Sequence, residues 1–206
     1  MKDRQLGGID TQKEVRPQIT ALNKLVLGCK KCDLHTRRNK LVFGNGNPES
    51  SIVFIGEAPG REEDESGLPF VGSAGKQLTS MLKSVGIDRD AVYITNIIKC
   101  RPPGNRDPLP AEMNSCFEWL DKQLEIIAPK LICTLGKHST FSLLGHVKPL
   151  EFHQTLSISK FRGKIYEYKG IKVVPTYHPA ALLYHPEWKE ATISDLTMVK
   201  KMLDRV

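Results

Sequence analysis

Four cysteines have a spacing that suits a bound metal or metal cluster. Cys29 and Cys32 are three positions apart, so two thiolates could bind one centre, and Cys100 and Cys116 follow later in the chain. Four thiolates suit zinc or a cubane iron–sulfur cluster. The alternative is that they are small buried hydrophobic residues, above all in the widely spaced second pair. Cys133 lies in the apolar run LICTL, where core packing is the expected role.

An acidic, glycine-rich loop follows the apolar run SIVFI. Residues 56–75, GEAPGREEDESGLPFVGSAG, carry five acidic side chains and one aromatic residue, Phe70. The ring belongs either to the core or to a stacking platform, and base–aromatic stacking is worth about 1–3 kcal/mol. The loop fails the Walker template, because Phe70 stands where its first glycine is needed, and GNGNPE lacks the third glycine of a dinucleotide fingerprint. A nucleotide-binding enzyme therefore has no motif support.

Two further polar side chains lie where predicted strands end. Asn96 ends one strand, and its amide donates and accepts hydrogen bonds at once, which suits a nucleobase edge. His178, in TYHPA, follows another strand, and Pro179 holds it in an extended or turn geometry off the sheet edge. The alternatives are an ordinary strand-terminating asparagine and a structural histidine.

Short β-branched runs alternate with helical patterns along the chain. The predicted strands are Ile52–Ile55, Val92–Thr95, Leu131–Leu135 and Lys172–Thr176. The predicted helices are Pro17–Leu27, Gly75–Val85, Ala111–Ile127, Lys137–Leu144 and Lys189–Leu203. A hairpin is expected around Lys169–Gly170. This order predicts an α/β fold, a single three-layer domain whose central, mostly parallel four-stranded sheet is flanked by helices.

The carboxyl ends of these strands are the expected place for a site, because ligands bind there in open α/β sheets. Three segments with polar groups beside glycine or proline follow strands: GEAPG, NIIKCRPPGNR and YHPAALLYHP. Their convergence at one edge of the sheet is the main indication of a functional site that does not depend on a motif.

Composition and charge are those of an ordinary globular domain. Of the 206 residues, 40% are hydrophobic and 26% are charged, and the net charge is +7. The positive charge fits either a lysine-rich surface or a polyanion partner such as nucleic acid. No apolar run has the length of a membrane span, and no signal-like segment opens the chain, so a cytoplasmic location is expected. Residues 1–16 are expected to form a loose tail and residues 17–206 one domain.

Three motifs together carry a family resemblance. GEAPGREEDESGLPFVGSAGKQL, YITNIIKCRPPGNRDP and YHPAALL, with the four cysteines, resemble an iron–sulfur-containing family 4 uracil-DNA glycosylase of the uracil-DNA glycosylase superfamily. The resemblance runs from about Leu25 to about Leu203. It implies a monofunctional hydrolase acting on N-glycosyl bonds in base excision repair. Such an enzyme flips uracil out of DNA, hydrolyses the N-glycosidic bond and leaves an abasic site.

The resemblance also implies roles for residues of the three motifs. Phe70 would stack on the flipped uracil, Asn96 would read its N3–H and O4, and His178 would stabilise the anionic leaving base. Backbone N–H groups around Glu57 and Ala58 would help in the same way. Ala58 stands where a distant branch of the superfamily has a water-activating aspartate, so Glu57 is the candidate for positioning the water. Glu57 could instead only order the loop.

Other residues are implied in specificity and in DNA binding. Glu63 would lie beside C5 of the uracil and exclude the methyl group of thymine. Ala181–Leu183 match the loop that wedges into the duplex, with core packing as the alternative. The candidates for contacts with DNA phosphates are Lys30, Lys31, Arg37, Arg38, Lys99, Arg101 and Arg106.

The cofactor and partners follow from the same resemblance. Cys29, Cys32, Cys100 and Cys116 match the family's ligands of a [4Fe–4S] cluster, for which a structural role is expected. The expected substrate is uracil-containing DNA, double- or single-stranded, in a prokaryotic cytoplasm. A monomer is expected, and a replication clamp is a candidate partner. The alternative function is a non-catalytic iron–sulfur or zinc DNA-binding module on the same scaffold.

Overall fold

A six-stranded mixed sheet forms the centre of the molecule. The structure is a computed structural model that describes residues 12–148 and 156–205. The strands are β1 (Asn45–Gly46), β2 (Ile52–Gly56), β3 (Tyr93–Asn96), β4 (Leu131–Leu135), β5 (Tyr166–Tyr168) and β6 (Ile171–Thr176). Their spatial order is β1-β3-β2-β4-β6-β5. The four central strands are parallel, while β1 and β5 pair antiparallel at the two edges.

Helices cover both faces of this sheet. They are α1 (Gln12–Leu27), α2 (Arg61–Ser66), α3 (Ser73–Ser84), α4 (Pro110–Ile127), α5 (Lys137–Gly145) and α6 (Lys189–Leu203). Because side chains alternate along a strand, β2 is buried on both sides. Val53 packs in a core that includes residues of α1, α4 and α5, and Phe54 packs in a second core with residues of α3 and α6. The three-layer α/β domain predicted from the sequence is therefore confirmed.

The predicted elements agree closely with the observed ones. All four predicted strands are present as the parallel core of the sheet, and β5 with β6 forms the hairpin expected around Lys169–Gly170. The sheet is wider than predicted, because β1 and β5 extend four strands to six. The helix α2 was not predicted, since REEDES has no apolar face to produce a helical period.

The first helix begins earlier than the sequence indicated. α1 starts at Gln12, so residues 12–16, which were assigned to the loose tail, are helical, and Pro17 lies inside the helix. A proline there removes one backbone hydrogen bond. Burial of Leu22 and Val26 stabilises the helix against the core. Residues 1–11 lie outside the described residues, so the domain boundary itself stays a prediction.

Within the described residues, none of the helices is both long enough and apolar enough to cross a membrane.

Candidate active site

A cleft of about 440 Å³ opens at the carboxyl ends of β2, β3 and β6. Ligand sites of parallel sheets lie at this edge, and the volume is within the usual range for small-molecule sites. The cleft brings together the side chains predicted from three distant motifs. They are Glu57, Ala58, Glu63, Phe70, Asn96 and His178.

Asn96 and Phe70 face each other across a glycine at the end of β2. Gly56 is the register partner of Asn96 in the neighbouring strand β3. A Cβ added to Gly56 would lie 2.4 Å from Oδ1 of Asn96 and 2.4 Å from Cζ of Phe70, so no larger residue fits between them. The Asn96 side chain is buried, and its Oδ1 has no hydrogen-bond partner among the described residues. A buried acceptor of this kind is available to a ligand.

The Phe70 ring is held by an unusual backbone and by one arginine. Phe70 has φ +53°, a left-handed conformation that costs a non-glycine residue about 1–3 kcal/mol and often marks a functional site. The Arg89 guanidinium donates to the carbonyl oxygens of Pro69 and Phe70, each at 2.9 Å, and to Oγ1 of Thr79. The ring of Phe70 lies 5.8 Å from that of His178, centroid to centroid. Arg89 was not predicted, because it lies outside the three motifs and its contacts with Pro69 and Phe70 have no local sequence signal.

Glu63 orders the loop that carries Phe70. It belongs to α2, and its carboxylate accepts hydrogen bonds from the backbone N–H groups of Gly60 at 3.1 Å and of Val71 and Gly72 at 2.8 Å. Both carboxylate oxygens are therefore used within the protein. Glu63 also lines the cleft, so its contact with a base stays a prediction, while the loop contacts were not foreseen.

His178 is a neutral hydrogen-bond donor. The backbone N–H of Ala180 donates to Nδ1 of His178 at 3.2 Å, so the proton of the neutral ring is on Nε2. Burial, with a smaller effect of His138, lowers the pKa of His178 to about 4, against the opposing charge of Glu63. The ring therefore presents an uncharged N–H at neutral pH.

A glycine allows this histidine to approach the sheet. Gly136 follows β4 with φ +93°, and a Cβ on it would lie 2.9 Å from Cβ of His178. A side chain at that position would push His178 away from the cleft.

Glu57 is a partly buried carboxylate beside Asp107 and His138, neither of which was predicted as a site residue. Burial raises the pKa of Glu57 to about 7, Asp107 adds to the rise, and Lys137 opposes it. Nε2 of His138 lies 3.9 Å from Oε2 of Glu57. His138 follows β4 at the same sheet edge. Examining the end of every predicted strand, rather than three of the four, would have found it.

Four cysteines gather away from this cleft, at a second cavity. Cys29 and Cys32 follow α1, Cys100 follows β3 and Cys116 lies in α4, and all four line one cavity beside Arg38 and Trp119. None of the four is in a disulfide. Cys133 lies elsewhere, fully buried in β4, as predicted.

The surroundings of the cysteine sulfurs suit negative charge. Arg38 donates to Sγ of Cys100 at 3.1 Å, and the Trp119 indole N–H donates to Sγ of Cys29 at 3.2 Å. Burial raises the pKa of the Cys116 thiol to about 12, and burial also raises the pKa values of the Cys32 and Cys100 thiols. Two buried and two half-buried thiols with N–H donors fit a bound cation or cluster, because such a group would offset the cost of burying thiolates.

Comparison with known proteins agrees with the geometry of the cleft. The model of the uracil DNA glycosylase superfamily matches residues 43–198. The chain is 47% identical to the type-4 uracil-DNA glycosylase of Archaeoglobus fulgidus, over 86% of this chain and 89% of that protein. It is 48% identical to that of Sulfurisphaera tokodaii, over 86% and 81%. The type-4 enzyme of Thermotoga maritima is 40% identical, over 89% and 94%.

The chain belongs to the type-4 uracil-DNA glycosylases. The family resemblance drawn from the three motifs is thereby confirmed. The matched residues include the whole cleft described above, while Cys29 and Cys32 precede residue 43.

The basic residues of this type-4 glycosylase that were predicted to contact DNA phosphates differ in exposure. Lys30, Lys31, Arg37 and Arg106 are exposed. Lys99 is buried, and its Nζ donates to Oγ1 of Thr95, the carbonyl of Asn96 and Oε1 of Gln123 at 2.6–2.7 Å. The prediction that Lys99 contacts DNA phosphates is therefore wrong.

Four other candidates for phosphate contacts already have protein partners. Arg106 forms a bidentate pair with Glu112, Lys31 pairs with Glu118, and Arg101 donates to Asn105. The half-buried Arg38 also donates to the carbonyls of Leu27 and Cys29, so its guanidinium is tied to the cysteine segment. Exposed cations with these partners have fewer free N–H groups for phosphate.

The segment after His178 divides into buried and exposed residues. Leu182 is buried in the core, whereas Leu183 is 48% exposed and Tyr184 is 81% exposed. The core-packing alternative therefore holds for Leu182, and Leu183 is the residue of the predicted wedge that is free to enter a duplex.

Proposed function

We propose that this chain is a monofunctional uracil-DNA glycosylase that flips uracil from DNA and hydrolyses its N-glycosidic bond in base excision repair. The main support is the convergence of Phe70, Asn96 and His178 on one cleft of about 440 Å³. Membership of the type-4 family agrees with this activity. Flipping costs a few kcal/mol, least at a mismatch, and a stacking ring and an amide can offset that cost.

The base is read by stacking and by one amide. Phe70 stacks on the uracil face, and the free Oδ1 of Asn96 accepts the N3–H while its NH₂ group donates to O4. Cytosine has the opposite pattern at these two positions. It would leave the buried Asn96 amide unpaired, which costs about 1–3 kcal/mol for each lost hydrogen bond. Glu63 is proposed to lie beside C5, where the methyl group of thymine would be.

The leaving base is stabilised by a neutral donor. As the C1′–N1 bond breaks, negative charge develops on uracil, and the Nε2–H of His178 donates a hydrogen bond to O2. Backbone N–H groups around Glu57 and Ala58 are proposed to assist. Donors placed for charge that appears only in the transition state lower the barrier, and removing one costs about 10²–10³-fold in rate.

Glu57 is proposed to position the attacking water. A carboxylate that ionises near neutral pH can accept a proton from water as the bond to C1′ forms. No lysine is proposed as a nucleophile, so the product is an intact strand with an abasic site.

The four cysteines are proposed to hold a [4Fe–4S] cluster. Cys29, Cys32, Cys100 and Cys116 would be its ligands, and the donors from Arg38 and Trp119 would stabilise the sulfur charge. When bound, the cluster supplies a crosslink between the segment after α1 and the segment after β3. Zinc is the other group that four thiolates suit, and iron and sulfide analysis distinguishes the two.

Uracil-containing DNA is the proposed partner, either double- or single-stranded. The protein is proposed to act as a monomer, with a replication clamp as a candidate contact. Exposed Lys30 and Arg37 beside the cysteine cavity are available for phosphates, so DNA binding is expected to weaken as salt is raised.

An end-labelled duplex with one U·G pair tests the activity. Incubation followed by alkali is expected to break the labelled strand at uracil, with no break before alkali, and matched strands with T or C are expected to stay intact. Asn96→Ala is expected to lower the single-turnover rate about 100-fold by removing the uracil-reading amide. Asn114→Ala, an exposed change in α4, is the matched control.

The same assay distinguishes the alternative function. A DNA-binding module without activity would shift the uracil duplex in a gel and release no base. Strand breakage before the alkali step would contradict the monofunctional mechanism.

A further inference from the structure

Glu57 has two neighbours on the side away from the uracil-reading amide. His138 is the second residue of α5, and Asp107 lies in the loop before α4. Nε2 of His138 is 3.2 Å from Oδ2 of Asp107 and 3.9 Å from Oε2 of Glu57. Ring nitrogen and carboxylate oxygen atoms of all three residues lie within 4.8 Å of one another.

His138 is buried, and its ring nitrogens have no well-aligned hydrogen bond. It is 8% exposed. The 3.2 Å contact of its Nε2 with Oδ2 of Asp107 does not have hydrogen-bond geometry, and its Nδ1 has no partner among the described residues. A buried polar group in this state costs about 1–3 kcal/mol unless something satisfies it. Burial lowers the pKa of His138, against the opposing charge of Asp107, so the ring has one N–H and one free nitrogen at neutral pH.

Glu57, Asp107 and His138 line a second cleft, which adjoins the first. This second cleft has a volume of about 400 Å³, is lined by Asp107, Lys137 and His138, and shares Glu57 and His178 with the uracil cleft. Glu57 therefore lies at the junction of the two clefts. In glycosidic hydrolysis with inversion, a carboxylate activates water on the sugar face opposite the leaving group.

We propose that His138 and Asp107 are positioning residues, which hold Glu57 and the attacking water on the side of the second cleft. This inference rests on the proposed glycosylase function. In the step itself, the C1′–N1 bond breaks and its electron pair stays on uracil N1. The water oxygen forms the bond to C1′, and the proton of that water passes to the Glu57 carboxylate. Neutral His138 donates its one ring N–H to a carboxylate of this pair, and its other ring nitrogen accepts a hydrogen bond from water.

Charged and titratable groups from four parts of the chain line the two clefts together with Glu57. They are Arg61, Glu62 and Glu63 of α2, Arg106 and Asp107 of the loop before α4, Lys137 and His138 of α5, and His178 after β6. Besides burial, the charges of Asp107 and Lys137 shift the pKa of Glu57. The negative charge of Asp107 favours the protonated form of Glu57, so its removal allows ionisation at lower pH. Neutral His138 contributes no net charge to the pKa of Glu57. Its replacement is therefore expected to lower the rate by displacing Glu57 and the water, and not to shift the pH midpoint.

Single-turnover rates between pH 5 and pH 9 test the proposal in the cluster-loaded enzyme on a U·G duplex. The wild-type rate is expected to rise with pH through about 7 as Glu57 ionises. Asp107→Asn is expected to move this midpoint down by about 0.5–1 pH unit. His138→Ala is expected to lower the high-pH rate about 10–100-fold, and His138→Gln, which retains hydrogen bonding, to recover part of the loss.

Matched controls separate positioning from folding. Asp204→Asn and His146→Gln remove the same groups at exposed positions outside both clefts, and wild-type pH profiles are expected from them. Melting temperature and affinity for a duplex with non-hydrolysable 2′-fluorodeoxyuridine report folding and binding. If His138→Ala does not fold, the pH midpoint of Asp107→Asn alone tests the proposal. The Asp107 side chain is 72% exposed, so its replacement is not expected to disrupt folding.

Two results would overturn the proposal: an unchanged midpoint in Asp107→Asn, or a wild-type rate in a folded His138→Ala. A wild-type enzyme that releases no uracil at any pH would refute the proposed function itself. That result is distinguishable from failure of the positioning proposal alone.

Discussion

At the scale of single residues, the proposed release of uracil depends on a neutral histidine. His178 accepts from the Ala180 backbone at Nδ1, and its pKa of about 4 keeps the ring uncharged above pH 5. His178→Ala is expected to lower the single-turnover rate of uracil excision about 10²–10³-fold, because one donor to the developing anion is lost. Since the pKa of His178 is depressed, its protonation does not contribute to the pH profile between pH 5 and pH 9.

The control for His178→Ala is a measurement of DNA affinity, which separates binding of the base from the rate of its release. Affinity for a duplex with 2′-fluorodeoxyuridine is expected to change much less than the rate, since the donor acts chiefly in the transition state. An equal loss in affinity and rate would show that His178 only binds the base.

Arg89 is expected to affect uracil binding indirectly, by holding Phe70 in place. Its guanidinium fixes the carbonyls on either side of the strained Phe70 backbone. Arg89→Ala is expected to cost about 1.5–3 kcal/mol of stability, the range for hydrogen bonds from a charged group. It is also expected to weaken inhibition by free uracil, because the stacking ring is no longer held.

Thermal melting and the inhibition constant of uracil measure these two effects. Lys83→Ala, at an exposed position of α3, is the matched loss of a cation. Unchanged uracil inhibition in Arg89→Ala would contradict the positioning of Phe70 by this arginine.

Residue types at strand ends could be predicted from the sequence, but their partners could not. Asn96 and His178 were found because each follows an apolar β-branched run. Arg89 and His138 were missed, since their importance comes from contacts with Phe70 and Glu57 that only the folded chain creates. Lys99 was misassigned because its residue type does not show that it is buried, whereas its side-chain nitrogen is hydrogen-bonded inside the core.

At the scale of elements, the close packing of β2 against β3 sets the size of the base site. Gly56 separates Asn96 from Phe70, and a methyl group there would overlap both. Gly56→Ala is expected to lower uracil excision at least about 100-fold, because displacement of reacting groups by about 1 Å costs that much. Binding to undamaged DNA is expected to persist, and single-turnover kinetics with a gel shift measure the two effects.

A hairpin glycine provides the control for Gly56→Ala. Gly170 has φ +82° and no atom within 4 Å of an added Cβ, so Gly170→Ala introduces backbone strain alone. Retained activity in Gly170→Ala with loss in Gly56→Ala is the expected pair of results. Equal activity in the two variants would contradict the assigned packing of the base site.

The regular elements were predictable because each buries an apolar pattern. The strands β2 and β4 are buried on both faces and read as continuous apolar runs. The polar helix α2 and the two-residue strand β1 lack such a pattern. They are stabilised by tertiary contacts, such as those of Glu63 with Val71 and Gly72, which have no local sequence signal.

At the scale of the whole molecule, the cysteine cavity connects segments that are distant in the chain. Cys32→Ser is expected to remove bound iron and to lower the melting temperature, by about 2–4 °C for each kcal/mol lost in a chain of this size. Cys133→Ala, in the core of β4, is expected to lower stability while iron is retained.

Iron and acid-labile sulfide analysis of purified protein checks this prediction. Equal amounts of iron and sulfide in the wild type, with neither in Cys32→Ser, are expected for a [4Fe–4S] cluster. Zinc without sulfide would contradict the cluster and leave the glycosylase mechanism unaffected.

The structure of the complex with a duplex containing 2′-fluorodeoxyuridine tests the central claim most directly. The uracil is expected outside the duplex, stacked on Phe70, with N3 and O4 about 2.7–3.2 Å from the Asn96 amide and Nε2 of His178 at O2. A uracil that remains in the helix, or that binds away from Phe70, Asn96 and His178, would contradict the account.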